Sequence, residues 1–274
     1  MPEGPETKRM ADDISRIVKR KKISSAKFLH PALEGLNNTK NISIDDVISL
    51  GKSIIIRLST GQSIITHNQL YGKWTINYLN TKIRHNRKLR IEIASERKVA
   101  RLWSATDILV YKTNQEMHHP YLKNLGPDIL DKNTDQQLII SKLKSKQAWN
   151  RQLSSVLLDQ SVISGLGNYL RSEILFFAGL VHTKKPSDLD INQIIKLAII
   201  MKNIAVRACK QKGKTIDLDY FKKEFGNVNN FNNIKHMVFG RKGFPCFKCG
   251  KKILKLIVAS RRVYICPICQ KFKQ

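Results

Sequence analysis

The chain has 274 residues, with 49 Lys and Arg against 21 Asp and Glu, for a formal net charge of +28 at pH 7. Apolar residues make up 42%, enough for one or two cores, which excludes a wholly disordered chain. No run of 18 or more uncharged apolar residues exists, so no membrane-spanning helix is expected. A field of this sign and size attracts polyanions, which makes nucleic acid the first partner to consider. The opening Met1-Pro2-Glu3-Gly4-Pro5-Glu6 lacks the apolar stretch of a secretory signal. Five cysteines, an odd count in such a chain, point to a reducing compartment and metal thiolates. A cytoplasmic location follows as the expectation, beside the nucleoid if the source is bacterial.

In chain order, residues 5 to 21 predict a helix, with Ile14, Ile17 and Val18 at helical spacing among charged residues. After Pro31 the pattern turns strand-like. Residues 53–58 and 62–66 flank Ser59-Thr60-Gly61 as a hairpin, and 88–94 and 98–103 flank Ser95-Glu96-Arg97 as another. Short strands at this spacing predict a β-sandwich or barrel ending near Gly126-Pro127. From Asp131 the pattern is helical, with helices expected over 138–146, 151–159, 168–177 and 191–211. An Asn-rich stretch at 226–233 reads as a loop. Residues 236–274 form a basic tail without Asp or Glu. The expected organisation is a β domain over 2–126, a linker over 127–135, a helical domain over 136–235 and a small module over 236–274.

In that tail, Cys246-x-x-Cys249 and Cys266-x-x-Cys269 stand 16 residues apart, within the spacing of a four-cysteine zinc site. Each pair puts two thiolates on one tight turn, and tetrahedral zinc takes two such turns. All four positions are then filled, so the zinc is structural. Strands are expected over 253–258 and 263–265, with Ala259-Ser260-Arg261-Arg262 as the hairpin tip. Ten Lys and Arg lie in this module, and basic strands around an arginine-bearing turn suit a DNA backbone or groove.

Two further features carry chemistry. Gly165-Leu166-Gly167-Asn168 opens a helix, where backbone amides and the helix dipole favour an anion such as phosphate. Pro2 usually permits removal of Met1, which leaves a secondary amine at the chain start. Such an amine attacking a sugar C1′ gives an iminium, an electron sink suited to elimination. Glu3 beside it is a candidate for proton handling.

Pro2-Glu3-Gly4-Pro5-Glu6, Gly51-Lys52, His67-Asn68-Gln69-Leu70-Tyr71-Gly72, Asp159-Gln160, Gly165 to Leu170, and Ser260-Arg261 through the last C-x-x-C occur in order over nearly the whole chain. In these segments the chain resembles the formamidopyrimidine-DNA glycosylase and endonuclease VIII family. The Pro-Glu-Gly-Pro-Glu start and the Asn-Gln-Leu-Tyr stretch are similar to the endonuclease VIII branch. The resemblance implies an α+β multidomain fold: an N-terminal β-sandwich with its helix, a helix-two-turn-helix domain and a zinc-finger β-hairpin.

It implies a bifunctional DNA glycosylase and AP lyase of base excision repair, acting as a monomer on double-stranded DNA with damaged bases or abasic sites. Pro2 is then the nucleophile, Glu3 the acid/base, and Lys52 a donor to the damaged nucleotide. Asn168 and Arg261 clamp the flanking phosphates, with Arg261 also in the catalytic set. Gln69, Leu70 and Tyr71 fill the gap left by the extruded base, while Glu6 and Asp159 orient the site. Oxidised pyrimidines are the usual substrates of this branch; an 8-oxoguanine or formamidopyrimidine substrate is the alternative. A catalytically silent nucleic-acid-binding zinc protein is the reading from another class. The residues alone assign supporting roles to His67 at its strand end and to Asp128 as a turn cap. They assign core positions to Trp74, Trp103, Trp149 and Cys209, and no partner to His118 or His119.

Overall fold

The computed structural model describes residues 2–38, 42–217, 219, 221, 223 and 234–272. The Asn-rich stretch at 226–233 lies outside the described residues, as does Lys273 of the tail. The chain divides into two compact units, Met1–Asn124 and Leu125–Gln274.

The first unit opens with α1 (Gly4–Val18). Pro5 sits in its first turn, where a missing N–H costs nothing. Its Ala11, Ile14, Ile17 and Val18 recur on one face and are buried. Two four-stranded antiparallel sheets follow. One runs β2 (Ile44–Leu50), β3 (Ser53–Leu58), β4 (Gln62–His67) and β8 (Asp107–Lys112) in that order. The other runs β1 (Ser25–Phe28), β6 (Leu89–Ser95), β7 (Lys98–Trp103) and β5 (Lys73–Tyr78). Ile54, Ile56, Leu58 and Ile64 of the first sheet share a core with Trp74, Ile91, Ile93 and Leu102 of the second and with α1. This is the expected β-sandwich with its N-terminal helix.

Four strands escaped the sequence reading: β1, β2, β5 and β8. Each is an edge strand interrupted by charged or polar residues, because an edge strand needs only one apolar face. Trp74 and Trp103 are core residues, 3% and 4% exposed.

The second unit holds α2 (Gln136–Leu143), a short α3 (Leu153–Val156), α4 (Asn168–Ala178) and α5 (Ile191–Lys210). The helix expected over 151–159 shrinks to four residues, since Asp159 turns the chain instead of continuing it. In α5, Asp190 and Gln193 form a capping box, and Leu197, Met201, Ile204 and Ala208 face inward. The C-terminal hairpin pairs β9 (Leu254–Val258) with β10 (Arg261–Ile265). Its Val263 and Ile265 enter the helical core, so the small cysteine module draws its packing from the helices. A further cluster joins Phe176 of α4 to Ile253, Tyr264, Cys246 and Cys266. Among the described residues no helix is long and apolar enough to cross a membrane.

Candidate nucleic-acid interface and catalytic residues

The first unit carries the N-terminal residues, Lys52 and the exposed loop. Pro2 is half-buried and Glu3 is 5% exposed. Glu3 is the N-cap of α1. Its N–H donates to Glu6 Oε2 at 3.1 Å, and the Thr7 hydroxyl donates to its carbonyl at 3.0 Å. The helix start thus fixes the main chain at Glu3, with a carboxylate in the turn where the dipole favours one. Arg9 lies 3.4 Å from Glu6 Oε1 and balances that charge.

Lys52 occupies the β2–β3 turn. Gly51 has φ +60 there, a backbone region where a side chain is strained. The Lys52 N–H donates to the Tyr121 hydroxyl at 3.0 Å, a contact across 69 positions of chain that no local pattern announces. His67 ends β4 opposite Ser53, and its ring lies 4.7 Å from that of Tyr121. Burial holds the His67 imidazole below its ordinary value, and the Lys52 charge pushes the same way against Asp107.

The loop from Asn68 to Gly72 leaves β4 and closes tightly, with the Gly72 N–H donating to the Asn68 carbonyl at 2.7 Å. A Cβ on Gly72 would sit 2.6 Å from that oxygen, so only glycine fits. Leu70 and Tyr71 project from this loop at 73% and 69% exposure, among the most exposed large apolar side chains of the described residues. Gln69 has φ +45; its N–H donates to His67 Nδ1 and its side-chain amide to Asp107 Oδ2, both at 3.1 Å. Arg87 Nη1 donates to the Tyr71 carbonyl at 2.6 Å and braces the far end. The sheet therefore presents two exposed apolar side chains on a stiffened loop.

The second unit carries the phosphate-binding candidates. Gln160 shapes the turn before α4. Its amide donates to the Leu158 and Leu166 carbonyls, and its oxygen accepts the Gly165 N–H. Asn168 is the first residue of α4, and its Oδ1 is buried without a hydrogen-bond partner among the described residues. Asp159 receives the Ser161 N–H at 3.0 Å and Arg151 Nη1 at 2.7 Å. Burial works to raise the Asp159 carboxyl, but these bonds outweigh it and hold it below the usual range. The residue thus serves the turn itself.

Arg261 and Arg262 are both exposed. They are the first residues of β10 and not the tip of the hairpin; Ala259 and Ser260 alone form the turn, at φ +47 and +61. A two-residue turn with both residues left-handed matches strand twist, which leaves Arg261 in register opposite Val258.

The four sulfurs of Cys246, Cys249, Cys266 and Cys269 lie within 4.8 Å of one another. Thiolates ~2.3 Å from a tetrahedral ion would be roughly 3.8 Å apart, so the cluster fits one ion. Gln270 is 1% exposed; its oxygen accepts the Cys266 N–H and its amide donates to the Leu180 carbonyl, which ties the second pair to the helices. Burial pushes the Cys266 thiol up to about 11 and raises that of Cys269. A bound cation reverses this, because it stabilises the thiolates. Cys209 stands apart on α5, half-buried.

Sequence reasoning missed three partners that hold the site. Buried Arg171 donates to the Ser154 and Arg262 carbonyls. Glu173, fully buried, accepts the N–H groups of Met237, Val238 and Phe239. His119 is 2% exposed and takes the Tyr121 N–H on Nδ1. All three look like ordinary charged or surface positions in sequence, and only long-range pairing reveals them. Asp128 caps its turn by accepting the Leu130 N–H at 2.8 Å.

Residues 1–104 match the formamidopyrimidine-DNA glycosylase N-terminal domain, and residues 125–219 match its H2TH domain. The chain is 35% identical to "Endonuclease 8" of Escherichia coli O17:K52:H18 over 98% of its own length and 100% of that protein's. It is 35% identical, with the same coverage, to "Endonuclease 8" of Klebsiella pneumoniae strain 342. Among solved structures, the fold is similar to Lactococcus lactis Fpg (MutM) bound to DNA containing N7-benzyl-Fapy-dG, at TM-score 0.79 and 23% identity over 98% of this chain and 100% of that one. The same enzyme bound to DNA containing an abasic site matches at TM-score 0.79 and 23% identity, over 98% and 99% of the two chains. With two domain matches and full-length relatives at this identity, the chain belongs to the formamidopyrimidine-DNA glycosylase and endonuclease VIII family of DNA glycosylases with AP lyase activity.

Proposed function

We propose that this protein removes oxidised pyrimidines from double-stranded DNA and cuts the strand by β,δ-elimination through a Pro2 iminium. The observation that carries the reading is the N-terminal arrangement. Pro2 directly precedes a buried Glu3 whose main chain is held by Glu6 and Thr7.

After removal of Met1, the Pro2 nitrogen attacks C1′ of the flipped nucleotide and the damaged base departs with its electron pair. The departing base takes the amine proton; the C1′–O4′ bond then breaks as O4′ is protonated by Glu3, which leaves an iminium that keeps its charge without an N–H. Loss of a C2′ proton then expels the 3′ phosphate, and a second elimination expels the 5′ phosphate. Glu3 transfers protons at the opening sugar, and Lys52 donates to the damaged nucleotide. Leu70 and Tyr71 enter the vacated stack, which offsets an unstacking cost of a few kcal/mol. Asn168 and Arg261 grip phosphates. Arg261 suits this through its fork of donors, Asn168 through its place at a helix start. The second unit divides by role into a helix-two-turn-helix part over 136–235 and a finger over 236–274. Zinc, held by the four cysteines, supplies folding energy there. The enzyme acts as a monomer in the cytoplasm.

Borohydride trapping of untagged protein tests the reading. One duplex carries thymine glycol or dihydrouracil, the other 8-oxoguanine opposite cytosine. A covalent adduct on the pyrimidine lesion, absent in Pro2→Gly, is the expected result. Trapping on 8-oxoguanine alone would keep the mechanism and overturn the substrate. No adduct on either, with Met1 absent by mass, would leave a binding role.

A further inference from the structure

His119 is almost fully buried, yet its Nε2 has no hydrogen-bond partner among the described residues. Its Nδ1 accepts the Tyr121 N–H at 3.1 Å, so the neutral ring carries its proton on Nε2. That proton faces Asp107 Oδ1 at 3.9 Å, too far for a hydrogen bond. The other Asp107 oxygen is occupied by the Gln69 side-chain amide at 3.1 Å. Asp107 begins β8 directly opposite His67, beside the loop that carries Leu70 and Tyr71. One carboxylate therefore stands between a filled bond on the exposed side and an empty one on the buried side. A buried donor left unpaired is costly, and a small turn of the carboxylate would satisfy it.

We propose that Asp107 is a positioning residue for the wedge: it tethers Gln69 in the free protein and passes to His119 when the loop enters the duplex. This rests on the reading of Gln69, Leu70 and Tyr71 as the base-gap wedge. Gln69 cannot hold Asp107 and fill a gap in DNA at once, so insertion must break the tether. The bond to His119 then replaces the lost one, and insertion proceeds without a net loss of pairing. The far side of the histidine is already fixed. Tyr121 donates to its Nδ1 through the main chain and accepts the Lys52 N–H through its hydroxyl. The exchange thus occurs one residue contact away from the Lys52 turn.

Two variants separate the halves of this exchange. In Asp107→Asn the remaining oxygen still accepts from Gln69, but its amide now meets the His119 N–H donor to donor. In Asp107→Ala both bonds are gone. Stopped-flow fluorescence of 2-aminopurine placed beside an abasic-site analogue reads insertion directly. Insertion is expected to slow about tenfold in Asp107→Asn, where the tether stays and the receiving bond is lost. It is expected to quicken severalfold in Asp107→Ala, where nothing restrains Gln69, with faster reversal. Binding to undamaged duplex shifts alike in both, since each removes the same carboxylate charge, so a difference between them in insertion is not a charge effect. Equal changes in the two variants, or none in either, would overturn the exchange. Borohydride trapping of the wild type on an abasic duplex keeps the two failures apart. A wild type that traps and shows the fluorescence change while the variants do not diverge removes only this inference. A wild type that traps without a fluorescence change removes the wedge reading and this inference with it.

Discussion

The Arg171 guanidinium donates to the Arg262 carbonyl at 2.8 Å, from a side chain only 1% exposed. Its other arm donates to the Ser154 carbonyl at 2.9 Å. At the next position of the same helix, the Ser172 hydroxyl accepts the Tyr264 N–H. Helix α4 therefore opens with Asn168 and, from its next turn, holds the strand that presents Arg261. Both phosphate-binding candidates of this unit are set by one helix.

Arg261→Ala is expected to weaken binding to damaged DNA and to reduce the slope of log affinity against log salt by about one. Arg171→Lys keeps the buried charge but loses the fork. It is expected to show the same reduced slope and, in addition, a stability loss of about 2 kcal/mol. Binding titrations across salt and a thermal melt check both. A melt change without a slope change in Arg171→Lys would mean that Arg261 reaches phosphate without this brace.

Pro2→Gly is expected to lower base excision by at least a hundredfold while leaving affinity for undamaged duplex within twofold, since it removes the secondary amine and no charge. Single-turnover excision beside a binding titration measures both. Full excision on a thymine-glycol duplex would sink the nucleophile.

The cysteine cluster is expected to hold one zinc ion per chain, measurable by metal analysis of the purified protein. Cys266→Ser should lose the ion and several kcal/mol of stability. Because Cys266 shares a core with Phe176 of α4, the loss should appear as a lower melting point for the whole second unit and not as fraying of the tail alone.

On the face of the first sheet turned away from the sandwich core, Arg57 donates to both Glu116 oxygens at 2.8 Å, and the Ser63 hydroxyl donates at 2.5 Å. Burial works to raise the Glu116 carboxyl, but these bonds outweigh it and hold it below the ordinary range. A carboxyl depressed in the folded state stabilises fully above its unfolded value, ~4.3. That stabilisation is lost as pH falls through the depressed folded value. Glu116→Gln is expected to cost about 2 kcal/mol at pH 7 and to flatten the acid limb of the stability curve. Denaturant melts between pH 3 and pH 7 are the check, by order of magnitude; an unchanged acid limb would place the titration elsewhere.

Much of the candidate site lies in short stretches of the chain. The two C-x-x-C pairs, Pro2-Glu3 and the Gly165 to Asn168 turn each lie within a few residues, and local chemistry explains each. The hairpins at 53–67 and 89–103 were legible because their strands are mostly buried and apolar, with β-branched runs in the first. Strands β2 and β8 were not, since a strand with one wet face shows too little apolar signal in isolation.

What the sequence by itself determined is the inventory: a basic chain, a secondary amine behind Met1, four thiols at metal spacing and the apolar pair Leu70 and Tyr71 between His67 and Gly72. Charge, residue type and short spacing are properties of the chain alone, and they suffice for the class of chemistry. Only the tertiary structure decided what holds those groups in place. Tyr121 on the Lys52 amide, Asp107 on Gln69 and Arg171 on the Arg262 carbonyl join positions 38 to 91 residues apart. Each is a hydrogen bond to a group that packing has removed from water or fixed in register. Such a partner is chosen by where the strands and helices stack, and no local pattern records that choice.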